Sequence, residues 1–247
     1  MADVLKSFDA LELSLFGVPV DSERILDAYS VTLFTLIVLI ITEFISWDAA
    51  WKKKIAKKEN WDLYKSAIVS NLEHYFIVGP LAYFLVTCYV ASTGDYYPRW
   101  VSIPGVFLTQ AVGYASAHAW MHKTENYWIH KYHHGFSERT FVRPIAANSV
   151  TLIEFSVAYA LPIVTGTILF RPDTFVLRVV ACAISFTNLC IHTPAHILPQ
   201  DSFPSWAVTN LKHFHHHEKD VRKYYSAPIF DFDHVLGLVS EKPGKKE

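Results

Sequence analysis

The chain has 247 residues, 51% of them hydrophobic, and its mean hydropathy is positive, which is high for a water-soluble protein and favours membrane embedding. The 22 Lys and Arg residues nearly balance the 23 Asp and Glu residues. Without an excess of positive charge to hold a nucleic-acid backbone, nucleic acid is excluded as a partner.

The N-terminal segment, residues 1–28, carries six acidic residues against only Lys6 and Arg24. This charge sign is wrong for the start of a secretory signal peptide, so we expect no cleavage. Five apolar runs follow, each close to the ~20 residues that a helix needs to cross the hydrocarbon layer. They cover residues 29–47, 68–91, 100–117, 150–170 and 174–191. Because three residues separate the last two, these form either two spans or a hairpin dipping into the bilayer.

The distribution of lysine predicts the orientation, because basic residues in short loops are retained on the cytoplasmic face. Residues 48–66 hold six lysines, whereas the loop after the second run holds only Arg99. The lysine-rich loop is therefore predicted to be cytoplasmic and the N-terminus to lie on the opposite side. Alternation of the spans then places residues 118–149 and the tail after Ile191 in the cytoplasm.

Histidine is abundant and clustered. Of thirteen histidines, five fall between His118 and His134 and six between His192 and His217. Both clusters lie in the segments predicted to be cytoplasmic. The charge rule counts only Lys and Arg, so the placement of both clusters on one face supports the predicted orientation independently.

The spacing of these histidines is that of metal ligands on helices, where residues three or four apart share one face. The exception is the pair at 192 and 196, because Pro194 lies between them and makes a continuous helix doubtful. Ten imidazoles exceed the needs of one ion, and no carboxylate is spaced to bridge two, so we predict a histidine-rich two-metal site. The ten candidate ligands are His118, His122, His130, His133, His134, His192, His196, His213, His216 and His217.

Other polar residues are given supporting or structural roles. We expect His74 to be a satisfied interior residue, His215 to point away from the ligands on its helix, and His234 to be structural. Candidate acceptors that orient the imidazoles are Glu125, Asn126, Asn188 and Asp233. The three cysteines lie in apolar segments without paired spacing, which excludes a disulfide framework and a thiolate metal site.

The histidines form three boxes, which read His118-Ala-Trp-Met-His122, His130-Lys-Tyr-His133-His134 and His213-Phe-His215-His216-His217. They resemble the HxxxH, HxxHH and final HxxHH boxes of the fatty acid hydroxylase and sterol desaturase superfamily. The closing Phe232-Asp233-His234-Val235-Leu236-Gly237 also resembles the Trp-Asp-x-x-x-Gly segment common near the end of such proteins. The resemblance covers roughly residues 100–240.

The chain departs from some relatives at two places. Ala119 stands where many have Arg, and His192-Thr-Pro-Ala-His196 stands where many sterol-oxidising relatives have His-Ser-Gly-Tyr. A third box with two histidines is similar to that of the fatty acid 2-hydroxylases, which place ten histidines around their metals. The substrate is left open between a long-chain lipid and a sterol.

The resemblance implies a non-haem di-iron hydroxylase or desaturase that oxidises a C–H bond of such a substrate. Two Fe ions would be the cofactors, with O₂ as co-substrate, and Zn can replace Fe in purified protein. A b5-type cytochrome and its reductase would supply electrons, and the endoplasmic reticulum is the expected location.

The predicted fold is all-α, a polytopic membrane helical bundle of about four to five spans with a cytoplasmic, histidine-rich helical cap. We predict one domain over residues 1–247, in which residues 1–28 are non-cytoplasmic, 100–240 form the catalytic core and 241–247 are a flexible tail.

Two other functions would also fit parts of the sequence. A zinc-binding or zinc-transport protein would explain the histidines, but transporters place ionisable ligands near the bilayer midplane, whereas these boxes fall at span ends. A catalytically silent scaffold is disfavoured by the intact set of ten histidines. Nucleotide-binding, serine-hydrolase and zinc-protease motifs do not occur in the sequence.

Overall fold

A computed structural model describes residues 14–137, 140–204, 206–218, 225 and 230–232. Apart from turns and loops, nearly all of their regular structure is helical, which confirms the predicted fold class. The short antiparallel strands β1 (Ser14–Leu15) and β2 (Val18–Pro19) precede the helices. Predictions for Asp233, His234, the start of the N-terminal segment and the tail at 241–247 fall outside the described residues.

Ten α-helices follow in the described part of the chain. They are α1 (Ser22–Ile45), α2 (Ala49–Ile55), α3 (Lys58–Glu73), α4 (Gly79–Thr93), α5 (Arg99–Met121), α6 (Tyr127–His130), α7 (Leu152–Glu154), α8 (Leu161–Phe170), α9 (Thr174–Ile191) and α10 (Asn210–Glu218). Two π-helical segments, His74–Val78 and Phe155–Ala160, join α3 to α4 and α7 to α8. Short 3-10 turns cover His133–Gly135, Pro144–Ala146 and Gln200–Ser202.

Four helical stretches are long and apolar enough to cross a membrane. They are Ser22–Ile45, Lys58–Thr93, Leu152–Phe170 and Thr174–Ile191. Between 22% and 39% of each apolar window is buried inside the protein, so most of each surface is free to contact lipid. Helix α5, predicted as a span over residues 100–117, has 23 residues but is not among these four. The polar residue Gln110 and the proline Pro104 both lie within this helix and lower its mean hydropathy.

Local sequence signals set several helix ends. The side chains of Asp21, Asp48, Thr151 and Asp173 accept hydrogen bonds from backbone N–H groups in the first turns of α1, α2, α7 and α9. Gly94 follows α4 in the left-handed conformation, with φ of 61°. These caps satisfy helix-terminal groups that have no partner within the helix.

Each π-helical segment is followed closely by a proline, Pro80 or Pro162. Proline has no N–H group, so the carbonyl four residues earlier loses its usual donor. Side chains of other helices supply that hydrogen bond in both places. The Tyr29 hydroxyl donates to the Phe76 carbonyl (3.1 Å), and the Gln110 amide donates to the Ala158 carbonyl (3.3 Å). Each of these two carbonyls thus receives a donor from another helix, as a membrane interior requires.

Close packing of α5 against α8 fixes the course of the helix that carries the first histidine box. A Cβ atom at Gly113 would lie 2.7 Å from the Pro162 Cβ atom, so only glycine permits this approach. The histidines His118 and His122 follow on the same helix and its C-cap.

A buried ion pair ties the segment before α7 to the end of α1. The Arg143 Nε atom donates to Glu43 Oε1 (3.1 Å), and the Ile145 N–H donates to Glu43 Oε2 (3.2 Å). The Arg143 guanidinium also lies 4.7 Å from the centre of the Trp51 ring. The Arg143 and Glu43 side chains are only 5% and 11% exposed. Two charges removed from water in this way need each other as partners.

Candidate metal centre

Nine of the ten predicted ligands come together in two groups. The five-histidine group consists of His118, His122, His130, His134 and His216, and the four-histidine group of His133, His192, His213 and His217. Within each group, one ring nitrogen of every histidine lies within 4.8 Å of the others.

The grouping cuts across the sequence boxes. Along α10, each residue is rotated by about 100° around the helix axis from the one before it. His217 therefore lies about 40° to one side of His213, and His216 lies to the other side of His213. His213 and His217 therefore face the four-histidine group and His216 the five-histidine group. The box at 130–134 is not one helical face, because α6 ends at His130 and a 3-10 turn follows. That turn sends His133 and His134 to different groups.

His196 is the predicted ligand that the structure does not bring to either group. Helix α9 ends at Ile191, and a turn at Pro194 carries the chain away from the helix axis. The His196 side chain is 56% exposed, and its Nε2 atom lies 3.2 Å from Asp48 Oδ2. We therefore leave His196 out of the proposed ligand set.

The residues expected to orient the imidazoles differ from those found. Asn188 does so, but through its backbone carbonyl, which accepts from His192 Nδ1 at 2.8 Å. Asn126 instead donates to the Trp120 carbonyl, and Glu125 is exposed. Sequence reasoning missed Glu154, which is 1% exposed and whose Oε1 atom lies 2.6 Å from His130 Nδ1. The sequence did contain a signal for Glu154, because an acidic residue stands there near the start of the otherwise apolar run at residues 150–170.

Backbone carbonyls fix the tautomer of three ligand candidates. The Nδ1 atoms of His118, His192 and His217 each lie 2.8 Å from a carbonyl oxygen, those of Tyr225, Asn188 and Phe136. A carbonyl oxygen only accepts, so each Nδ1 carries the proton. Each Nε2 atom then carries no proton and has a free lone pair, which is the form that binds a metal.

These lone pairs face other ring nitrogens at contact distance. In the five-histidine group, His118 Nε2 lies 2.9 Å from His130 Nε2, 3.2 Å from His122 Nε2 and 3.1 Å from His216 Nε2. In the four-histidine group, His213 Nε2 lies 2.9 Å from His192 Nε2 and 3.1 Å from His217 Nε2. The single ring proton of His213 can be shared with only one of these two nitrogens. A cation in each group satisfies all of these lone pairs, so the residues fit two metal ions.

Burial disfavours the protonated form of several of these imidazoles. It lowers the pKa of the His192 imidazole to about 4, and it lowers the pKa values of His133, His213 and His217 well below the ordinary value of 6.5. Neighbouring imidazoles add to this effect at the last three. A neutral ring can bind a metal without first losing a proton.

We expect the chelator-treated protein to become less stable as the pH falls below about 6.5. Below that pH the imidazoles of the unfolded chain take up protons, whereas the folded imidazoles, with lowered pKa values, do not. Protons therefore favour unfolding, and they also compete with metal. Thermal unfolding of the chelator-treated protein, and metal retention by the untreated protein, both measured between pH 8 and pH 5, test these two effects. His196→Ala, which removes an exposed imidazole, should leave the profile unchanged, and a flat wild-type profile would contradict the expectation.

A model of the fatty acid hydroxylase family matches residues 103–237, more than half of the chain. The chain belongs to this family. The match confirms the resemblance to the fatty acid hydroxylase and sterol desaturase superfamily, and it includes both histidine groups. No curated protein and no solved structure matches the chain.

Family membership gives the clustered histidines a chemical setting. Fatty acid hydroxylases are membrane enzymes of the oxygenase type that act on lipids. The four apolar helices and the two histidine groups of this member agree with a metal-binding enzyme embedded in a membrane.

Proposed function

We propose that this chain is an O₂-dependent di-iron hydroxylase or desaturase that oxidises a C–H bond of a long-chain lipid or sterol. The observation that carries the proposal is the pairing of two histidine groups, whose lone pairs face one another, with four apolar helices. Bound iron would supply reactivity towards an unactivated C–H bond that amino-acid side chains lack.

The chain's own residues position and tune the two ions. The five-histidine and four-histidine groups are the proposed ligands, nine residues in all. Glu154 and the carbonyls of Tyr225, Asn188 and Phe136 hold individual rings in place. Such supporting groups raise ligand basicity and fix ring orientation. Zinc in purified protein would not argue against iron, because nitrogen sites commonly prefer zinc to Fe²⁺.

An apolar cavity supports a lipid substrate. It has a volume of about 340 Å³ and lies among α1, α4, α9 and the two π-helical segments. Asn188 lines this cavity while its carbonyl orients His192, so the cavity lies beside the four-histidine group. A cavity of this size and apolarity suits a small hydrophobic ligand.

The proposal extends to orientation and electron supply. We propose that the chain resides in the endoplasmic reticulum membrane and that both histidine groups face the cytoplasm, on the side of the lysine-rich loop. A b5-type cytochrome with its reductase would donate electrons there, since the sequence has no flavin or nicotinamide fingerprint. Lysines in the last turn of α2 offer a basic surface for that donor.

We expect cells that express the chain under O₂ to contain an oxidised lipid that is absent from cells without it. His133→Ala and His216→Ala, one from each histidine group, should abolish the new lipid, whereas His196→Ala should not. Comparison of whole lipid extracts by mass spectrometry measures this. An unchanged lipidome in a host that supplies iron and the electron donor would favour the zinc-binding alternative.

A further inference from the structure

We infer that His74 accepts a hydrogen bond from a hydroxyl group of the lipid and so selects hydroxylated lipids. The inference rests on the proposed function, and it deepens it by naming the class of substrate. It also places the hydroxyl at the end of the cavity that lies nearest the metal ligands.

The tautomer of the His74 imidazole decides which partner it can take. Its Nδ1 atom lies 2.7 Å from the Ser70 carbonyl oxygen, which only accepts, so Nδ1 carries the proton. Its Nε2 atom is then an acceptor. The residue is 4% exposed, and Nε2 has no hydrogen-bond partner among the described residues. The expectation that His74 is a satisfied interior residue is therefore right for one nitrogen and wrong for the other.

An unpaired acceptor in an apolar membrane interior is costly and calls for an explanation. His74 lines the cavity described above. A ligand there can satisfy Nε2 only by donating a hydrogen, which a hydroxyl does and a hydrocarbon, an ether or an ionised carboxylate does not.

Four other polar side chains of the cavity bond to one another, those of Tyr75, Asn148, Tyr159 and Asn188. Asn148 Nδ2 donates to the Tyr75 hydroxyl (2.6 Å), and Asn188 Nδ2 lies 3.3 Å from Asn148 Oδ1 and 3.4 Å from the Tyr159 hydroxyl. They form a polar cluster beside His74, and the opposite part of the cavity is lined by apolar residues such as Leu85, Val86 and Ala181. The cavity thus has one polar end, at which His74 Nε2 is a buried acceptor without a hydrogen-bond partner among the described residues.

The backbone at this end is irregular for a reason that fits a binding site. His74 begins the first π-helical segment, and Phe155 and Tyr159 belong to the second. All three line the cavity, and the His74 and Phe155 rings lie 5.1 Å apart. π-Helical segments occur frequently at functional sites. Here both contribute residues to the same end of one cavity.

That polar end is connected to both histidine groups. Glu154, the residue before Phe155, contacts His130, and the carbonyl of Asn188 orients His192. A hydroxyl bonded to His74 would therefore hold the head of a lipid near the ions, with its chain directed to the apolar end. The carbon that is oxidised is then close to the hydroxyl rather than at the far end of the chain.

Equilibrium binding to the purified full chain in lipid nanodiscs, in the absence of O₂ and reductant, tests the inference without turnover. The probes are hexadecan-1-ol and heptadecane, in which a methyl group replaces the hydroxyl, with affinities expressed as mole fractions in the bilayer. We expect the wild-type chain to prefer the alcohol by roughly ten- to hundredfold, the effect of leaving one buried polar group unpaired. Equal affinity for the two probes would overturn the inference, and this comparison needs no variant.

Variants assign the preference to His74. His74→Phe should bind the alcohol and heptadecane alike, and His74→Gln, which restores an acceptor, should recover part of the preference. Thr35→Val is the matched control, because Thr35 lines the same cavity but its hydroxyl already bonds to the Val31 carbonyl (3.1 Å). It should keep the wild-type preference. Retention of the preference in His74→Phe would contradict the assignment.

The result is separable from the proposed function. If the purified chain prefers the alcohol but cells that express it contain no newly oxidised lipid, only the oxygenase proposal is overturned. Oxidation of lipids by a chain that does not discriminate the two probes would overturn only the role of His74.

Discussion

Replacing His216 with alanine is expected to remove one metal ion from the purified protein, and replacing His217 to remove the other. The two residues are adjacent in sequence but belong to different groups. Each change deprives one ion of a direct ligand, and loss of even supporting contacts costs about 10–100-fold in affinity or activity. We therefore expect lipid oxidation to fall by more than about 100-fold in both variants. Elemental analysis should give two ions in the wild-type chain and about one in each variant.

His196→Ala is the matched control for this experiment. It also removes a histidine that the sequence predicts to be a ligand, but one that lies at the surface beside Asp48. It should retain two ions and wild-type activity. A loss of metal in His196→Ala, or full metal content in His216→Ala and His217→Ala, would contradict the proposed ligand groups.

Replacing Glu43 with glutamine is expected to destabilise the protein by about 3–5 kcal/mol, because it leaves the buried Arg143 charge without its partner. The same change weakens the bond to the Ile145 N–H and so loosens the segment before α7. Unfolding in mild detergent measures the free energy.

Two comparisons sharpen this prediction. Combining Glu43→Gln with Arg143→Met removes both charges and should recover much of the loss, since an apolar replacement for a buried pair is often neutral. Arg99→Met breaks an ion pair with Asp173 whose arginine side chain is 58% exposed, and it should cost no more than about 1 kcal/mol. Equal losses in Glu43→Gln and Arg99→Met would show that burial does not set the energy.

The helical framework could be predicted from the sequence because its signals are local. Four of the apolar runs match long apolar helices of the structure, and acidic or threonine side chains cap the starts of three of these helices. The π-helical segments could not be predicted in the same way. They depend on Tyr29 and Gln110, which reach the freed carbonyls from other helices.

Which histidines form the candidate metal centre could be predicted from the sequence, but how they divide between the two groups could not. Spacing identified nine of the clustered histidines, yet the assignment of His133 and His134 to different groups follows from a 3-10 turn. Pro194, between positions 192 and 196, disfavours a shared helix, and of this pair only His192 joins a group. Glu154 was missed because nothing in the sequence indicates that it packs beside His130, 24 residues away.

Oxidation of lipid by the purified, iron-loaded chain under ¹⁸O₂, with a chemical or enzymatic reductant, tests the central proposal most directly. A hydroxylase should place one ¹⁸O atom in the lipid, and a desaturase should give an unlabelled lipid with a new double bond. Both products should require O₂ and reductant, and both should vanish in His216→Ala. An unchanged lipid, with two iron ions bound and reductant supplied, would contradict the proposal that these histidines form an oxygenase centre.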